Sequence, residues 1–247
     1  MTDTGALLFK LAAALVIFGV ALAGARAAQT LRSSEAGIWL SLGNCFAGGV
    51  FIGAGLLHTL ADSQDLFASL LPEQDFPLWA ALAALAVVGL LWVDHCLSGD
   101  SDQGTATGVS LFIVLSLHSL LAGMALGVEA HPAQAVAILL AIVAHKGSAA
   151  FALGLRTDAT AYWQRMGPFA LMTPGGVLLG AVVAFLLQNR AGQYFEAVFD
   201  AIAAGTFLYV ALGEILPAEL RGNRRPNRMV FSVLAGLALM GVLALYT

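Results

Sequence analysis

Between Val109 and Arg156 lie two apolar runs, each long enough to cross a bilayer, joined by a turn at Glu129-Ala130-His131-Pro132. Each run carries one histidine at its centre with a polar or charged residue directly after it, His118-Ser119 in the first and His145-Lys146 in the second. The histidines stand about 14 and about 13 residues from Pro132, so an antiparallel helix pair rising 1.5 Å per residue holds both imidazoles about 20 Å below the turn. A hydrocarbon core is roughly 30 Å thick, which puts them near its midplane. Ionisable groups at that depth are costly, and they mark a candidate functional site by default.

The same apolar texture extends along the whole chain. Eight segments stand out, approximately 6–25, 36–61, 77–97, 108–128, 133–155, 167–188, 194–216 and 228–246, with short connections between them. Only 11% of the 247 residues are charged, against roughly 25% in a soluble domain. The chain is therefore read as one all-α transmembrane domain, 1–247. Helices satisfy their own backbone in lipid, and nothing alternates as a barrel strand would. The end of the first segment, Ala23 to Ala28, has the small residues of a peptidase site. Asp3 and the lack of a base before Lys10 argue instead for a retained helix. Cys45 and Cys96 suggest no disulfide framework. A net charge of -4 without a basic cluster argues against a nucleic-acid partner. No nucleophile-and-base set or phosphate loop supports an enzyme.

Arginine placement sets the expected topology. The connections after segments one, five and seven hold Arg26 and Arg32, Arg156 and Arg165, then Arg221, Arg224, Arg225 and Arg228. Those after segments two, four and six hold only Arg190. The positive-inside rule then places both termini outside. The connection from Ser98 to Thr107 has Asp100 and Asp102 but no base, and it abstains.

In that orientation the polar residues fall at three levels. His58 and Asp62, four apart on one helical face, end segment two near the outer side. His118, Ser119, His145 and Lys146 occupy the middle. Asp94-His95-Cys96 on segment three, with Glu214 and Glu219 on segment seven, lie toward the inner side. Donors spread across the bilayer suit a cation pathway better than one structural contact. Imidazole suits zinc, copper, iron and nickel, and two on facing helices can grip one ion at about 2.0–2.1 Å. Ser119 adds an oxygen or a hydrogen bond. Lys146 is harder to fit. As an ammonium it fills a second cation position with fixed charge, and as a neutral amine it stays silent or donates a lone pair. The bland readings are a hydrogen bond across helices for each buried histidine or for Asn44, hydrated helix ends for His58, Asp62, Asp94 and Glu214, and packing for the cysteines. Two histidines at matched depth on consecutive helices argue against the first. Glycines at 48, 49, 53, 55, 123 and 127 allow close helix approach. Pro174-Gly175-Gly176 predicts a kink or broken turn whose freed carbonyls line a cavity.

Taken together, these residues resemble the ZIP (Zrt/Irt-like protein) family of metal transporters over nearly the whole chain. The run from His118-Ser119 through Gly123 to Gly127 is similar to that family's H-S-x-x-E-G-x-A-x-G signature. His145-Lys146-Gly147 resembles the H-K-G form of one subgroup. Phe46 through His58 and Asp62, and Gly205 through Glu214, Pro217 and Glu219, are similar to its second and seventh helices. The resemblance implies eight helices with both termini extracytoplasmic and a metal path between helices two, four, five and seven. It implies metal-ligand roles for His118 and His145 with Ser119 beside them, and Lys146 where other subgroups hold a second-metal carboxylate. Two positions depart, since Ala122 stands where the family carries a glutamate in helix four and Ala149 where some subgroups carry one in helix five.

The function expected is passage of zinc, or a similar ion such as Fe2+, Mn2+ or Cd2+, into the cytoplasm. His58 and Asp62 admit the ion, His118 and His145 hold it, and Asp94, His95 and Glu214 release it. The partners expected are the lipid bilayer, the divalent ion and, as one assembly open to such a bundle, a second copy. A plasma membrane is expected, with a bacterial inner membrane suggested by short connections and abundant alanine. The alternatives are a non-transporting relative, sensor or scaffold, that has lost the central carboxylates, and a carrier of another solute drawn by Lys146.

Overall fold

The computed structural model describes residues 3–32, 37–98, 103–129, 132–157, 159–186, 191–221 and 226–245. The His131 turn, the acidic pair Asp100 and Asp102, and Arg190, Arg224 and Arg225 lie outside the described residues. Among the described residues the chain is helical and contains no strand, with eight helices long and apolar enough to cross a membrane. We number them α1 (Asp3–Arg32), α2 (Gly37–Leu70), α3 (Leu78–Ser98), α4 (Gln103–Val128), α5 (Pro132–Arg156), α6 (Tyr162–Leu186), α7 (Ala191–Tyr209, carried on to Leu220) and α8 (Pro226–Leu243).

Two of these rods are not uniform. In α2 the six residues Ala54–Thr59 form a π-turn before helix resumes at Leu60–Leu70. In α7 a second π-turn, Val210–Ile215, precedes the last stretch Leu216–Leu220. Each wide turn inserts one extra residue into the 3.6-residue repeat, which re-aims the side chains beyond it. The π-turn in α2 is braced by Thr59, whose Oγ1 donates to the Ala54 carbonyl at 2.9 Å. Helix α2 also runs well past the expected end at residue 61. Its extension is held because Ser63 Oγ donates to the Ala197 carbonyl of α7 at 2.7 Å and Phe67 is buried beneath it.

Glycine seams join the helices in pairs. On α4 and α6 a Cβ at Gly123 would collide with the Thr173 carbonyl, and one at Gly176 with the Leu120 carbonyl. On α2 and α8 the same holds for Gly49 against Val233 and Gly236 against Phe46. Lipid gives helices no hydrophobic reason to associate, so this backbone-to-backbone packing does much of the holding. It also corrects the reading of Pro174-Gly175-Gly176. Helix α6 continues through both Pro168 and Pro174, and Gly176 seats a neighbouring backbone where a break was expected.

The outside of the bundle is apolar. Leu15 on α1, Leu85 and Trp92 on α3 and Phe231 on α8 are all exposed. That surface suits hydrocarbon as its solvent. Inside, Phe51, Leu153, Phe169, Phe207 and Ile215 are almost wholly buried. Phe51 and Phe207 stack with centroids 5.4 Å apart and form the centre of this core.

Candidate functional site

A cavity of about 500 Å³ enters the bundle from the end where α4 finishes and α5 begins. His118 of α4 and His145 of α5 line it at its deepest point. Their rings are 5.6 Å apart, edge to face at 68°. The matched sequence distances from Pro132 explain why two consecutive antiparallel helices deliver them to one level. Phe207 of α7 closes the space around them, 3.8 Å from the His118 ring and 5.0 Å from the His145 ring, centroid to centroid. The histidines are only 5% and 6% exposed, so they occupy a sheltered floor.

Both ring nitrogens of His118 are buried without a hydrogen-bond partner, and His145 Nδ1 makes no aligned hydrogen bond either. An unsatisfied buried polar atom costs roughly 1–3 kcal/mol, and such atoms are rare enough to require a reason. Lone pairs kept free at the floor of a cavity are what a transient cation needs. Among the described residues, however, no three His, Cys, Asp or Glu side chains converge closely enough to cage a metal ion. The floor offers a pair of donors and no more.

Ala122, Ile138 and Ile142 line the α4–α5 side, with Glu129 and Gln134 also on it. Across from them are His58 and Asp62 of α2 and Glu196 and Asp200 of α7. His58 lies in the π-turn. Its Nδ1 stands 3.2 Å from Asp62 Oδ2, within ion-pair range but off line for a hydrogen bond. The expected outer pair is thus adjacent, on the same cavity as the central histidines.

Ser119 and Lys146 go elsewhere. Lys146 Nζ donates to Ser119 Oγ at 2.8 Å and to the Phe169 carbonyl of α6 at 3.1 Å, and it sits 3.7 Å from the centre of the Phe169 ring. Lys146 is 2% exposed, and neither residue lines the cavity. One position along a helix rotates a side chain by about 100°, so the residue after each histidine points into the α4–α5–α6 contact. The structure gives Ser119 a bond to Lys146, and although Lys146 acts electrostatically on both imidazoles, neither residue lines the cavity on which they lie.

Beyond Phe207 the bundle closes. Glu214, in the second π-turn, receives Arg156 Nη1 at 2.7 Å on Oε2 and the Tyr209 hydroxyl at 3.0 Å on Oε1. Arg156 Nη2 also donates to the Glu214 carbonyl at 2.8 Å. Asp94 lies within interaction range of Tyr209 and Glu214, whereas His95 is exposed. Asn44 Nδ2 donates to Glu219 at 2.7 Å. The inner polar level is therefore a set of hydrogen-bonded clamps and lines no part of the cavity. An open run of donors through the whole bilayer is not what the structure contains.

Sequence reasoning missed Glu196, Asp200 and the Arg156–Tyr209 engagement of Glu214. For the first two a signal was present. Gln193, Glu196 and Asp200 recur at three and four residues inside an apolar segment, a polar stripe on one helical face. All three line the cavity, as do Ala203 and Phe199 beside them.

The geometry thus combines eight spanning helices, two imidazoles buried at mid-bundle and a carboxylate-lined cavity leading to them. A family model described as ZIP Zinc transporter matches residues 100–244, from α4 through α8. The chain is 30% identical to the human protein named Zinc transporter ZIP1 across 252 residues, covering 81% of this chain and 76% of that one. It is 29% identical to the Danio rerio protein of the same name, covering 83% and 84%. Identity to mouse Zinc transporter ZIP2 is also 29%, covering 84% and 85%. A match of this extent, over more than half the chain and on the helices that build the cavity, makes the protein a member of the ZIP zinc transporter family.

Proposed function

We propose that this chain carries zinc, or a similar first-row divalent ion, into the cytoplasm through the His118–His145 pair. The observation that carries the reading is the pair itself, with both ring nitrogens of His118 unpartnered on the cavity that His145 also lines. The family supplies the cargo, since its relatives are named as zinc transporters. In this reading the chain works as a single transmembrane unit in the plasma membrane, with both termini outside. The cavity mouth then faces outward and the Arg156–Glu214 clamp faces the cytoplasm. His58 and Asp62 admit the ion. Glu214 and Asp94 meet it after the clamp has opened, and His95 takes no part in the interior path. His145-Lys146-Gly147 puts the chain in the subgroup with H-K-G in helix five. Lys146 then acts as a structural cation packed between α4, α5 and α6, and Ser119 supports the site as its hydrogen-bond partner. The named relatives are animal proteins and lend nothing to a bacterial inner membrane. A homodimer is compatible with the apolar exterior and is no part of the mechanism.

The test is zinc uptake into proteoliposomes. Wild type should show chelator-sensitive uptake, and His118→Ala and His145→Ala should each lower the initial rate about 100-fold or more. Loss of an outer partner of a metal ligand already costs 10–100-fold. Equal uptake by wild type and both variants would reject the histidine pathway. A second reading, a non-transporting member of the fold, draws on Ala122 and on the absence of a three-ligand cage among the described residues. It predicts no flux in wild type and gain of flux in Ala122→Glu. A carrier of anions drawn by Lys146 is disfavoured, because that lysine does not face the cavity.

A further inference from the structure

Five carboxylates line the cavity, Asp62, Asp65, Glu129, Glu196 and Asp200, and the reading above uses only Asp62, for admission of the ion. Glu196 and Asp200 are one turn apart on α7, and Asp62 is next to Ser63, whose hydroxyl fastens α2 to the Ala197 carbonyl between them. Asp200 interacts electrostatically with both Glu196 and Asp62. Neither Glu196 nor Asp200 has a hydrogen bond or ion pair among the described residues. His58 lies beside Asp62.

A second observation points to what belongs there. His118 lines the same cavity, is 5% exposed, and keeps both ring nitrogens without partners. Imidazoles offer lone pairs but no negative charge. Ala122, on the wall above His118, leaves α4 without a carboxylate to supply it. A divalent ion stripped of water needs compensating charge. Of the carboxylates on this cavity, Glu129 stands just past the end of α4, and Asp62, Asp65, Glu196 and Asp200 come from α2 and α7. Along α7 Asp200 precedes Phe207, the ring in contact with His118, by two helical turns, about 10 Å toward the mouth.

We propose that Asp200, with Glu196 and Asp62, forms an oxygen-donor capture site for a hydrated divalent cation above the imidazole pair, supplying the negative charge that Ala122 does not. The three side chains do not converge as a dry cage. The ion is therefore held through its water shell, which a cavity of about 500 Å³ accommodates. A charged, low-dielectric cleft of this kind concentrates counter-ions and speeds their arrival. Its use in delivering ions rests on the transport reading, while its binding step does not require the histidines.

Manganese separates the two sites, because it favours oxygen donors and the resonance of its free hydrated ion can be counted by EPR. Manganese is titrated into the detergent-purified full chain carrying His118→Ala and His145→Ala. One saturable site should persist there. Adding Asp200→Asn and Glu196→Gln, which preserve shape, should weaken it about tenfold or more. Asp62→Asn should weaken it from the other helix, and Asp200→Glu should retain it. Manganese binding that is absent from wild type, or unchanged in both the α7 and the α2 variants, overturns the capture site. Either result leaves the histidine pathway standing on its own zinc-flux experiment. Loss of zinc flux in the histidine variants alongside intact manganese binding would support both sites as separate.

Discussion

His58 and Glu214 occupy equivalent positions in the architecture, each near the end of a π-turn, one in Ala54–Thr59 of α2 and the other in Val210–Ile215 of α7. Their surroundings are opposite. His58 borders the cavity of about 500 Å³ and has one poorly aligned neighbour, Asp62, whose side chain is 47% exposed. Glu214 is 8% exposed, and it has two Arg156 contacts and the Tyr209 hydroxyl around it. A π-turn leaves its ladder irregular and aims a polar side chain inward, and this chain does that once at each end. At one end the group is left available for exchange with water or an ion. At the other it is fully engaged with its own chain. A carrier site has to release what it binds, whereas a closed gate has to hold. The difference in satisfaction between the two turns separates those tasks.

That comparison breaks most readily at Arg156. Arg156→Ala leaves the Glu214 carboxylate buried without its cation, and losing one partner of a buried pair costs about 3–5 kcal/mol. Denaturant unfolding of the detergent-solubilised chain should show a loss of that size. Arg156→Met combined with Glu214→Leu should recover most of it, because the uncompensated charge is then gone. A loss under about 1 kcal/mol in Arg156→Ala would mean the clamp is solvated like an ordinary surface pair. Tyr209→Phe probes the same carboxylate more gently. It removes the hydroxyl that engages Glu214 and Asp94 and keeps the ring, and a hydrogen bond to a charged group is worth about 1.5–3 kcal/mol. The variant should lose less than Arg156→Ala on the same unfolding curve. An equal or larger loss would place the strength of the clamp in the hydroxyl instead of the guanidinium.

How much of this was legible depends on the scale of the signal. Eight spanning helices follow from apolar runs of bilayer length, and the juxtaposition of His118 with His145 follows from equal distances to Pro132. Both are properties of a regular helix, whose pitch is constant. The π-turns are not. Each adds a residue within an apolar run, and although Gly55 lies in the first turn and Gly213 in the second, with Pro217 just after it, glycines recur throughout these helices without a π-turn, so the phase of α2 beyond Thr59 and of α7 beyond Tyr209 cannot be counted from sequence. Glu214 was therefore assigned a level in the membrane but not its partner. Arg156 was counted as a topology marker at a helix end, although its long side chain reaches back into the bundle to Glu214. Lys146 and Ser119 were grouped with the histidines by adjacency, and helical rotation sends them to another face. Asp200 is legible as part of the stripe it forms with Gln193 and Glu196, but a stripe shows only which face of α7 is polar and not that this face meets the histidines of α4 and α5.

The smallest expected effect on stability lies at the open end, and it sharpens the contrast by being small. Asp62→Asn removes a charge whose side chain is about half exposed and whose His58 contact is off line. Pairs of that kind are worth about 0–1 kcal/mol, so its unfolding curve should nearly overlie that of wild type, far from the displacement expected at Arg156. Function should respond in the other sense. Asp62 borders the cavity, and its charge acts on ions before they reach the imidazoles. The zinc concentration for half-maximal uptake should therefore rise several-fold, with the maximal rate little changed, and its dependence on ionic strength should weaken. A stability loss at Asp62 comparable with that at Arg156 would erase the distinction between an open and a closed π-turn. Stability left intact with a shifted half-saturation would show that the same helical irregularity holds ions at one end of the bundle and the fold at the other.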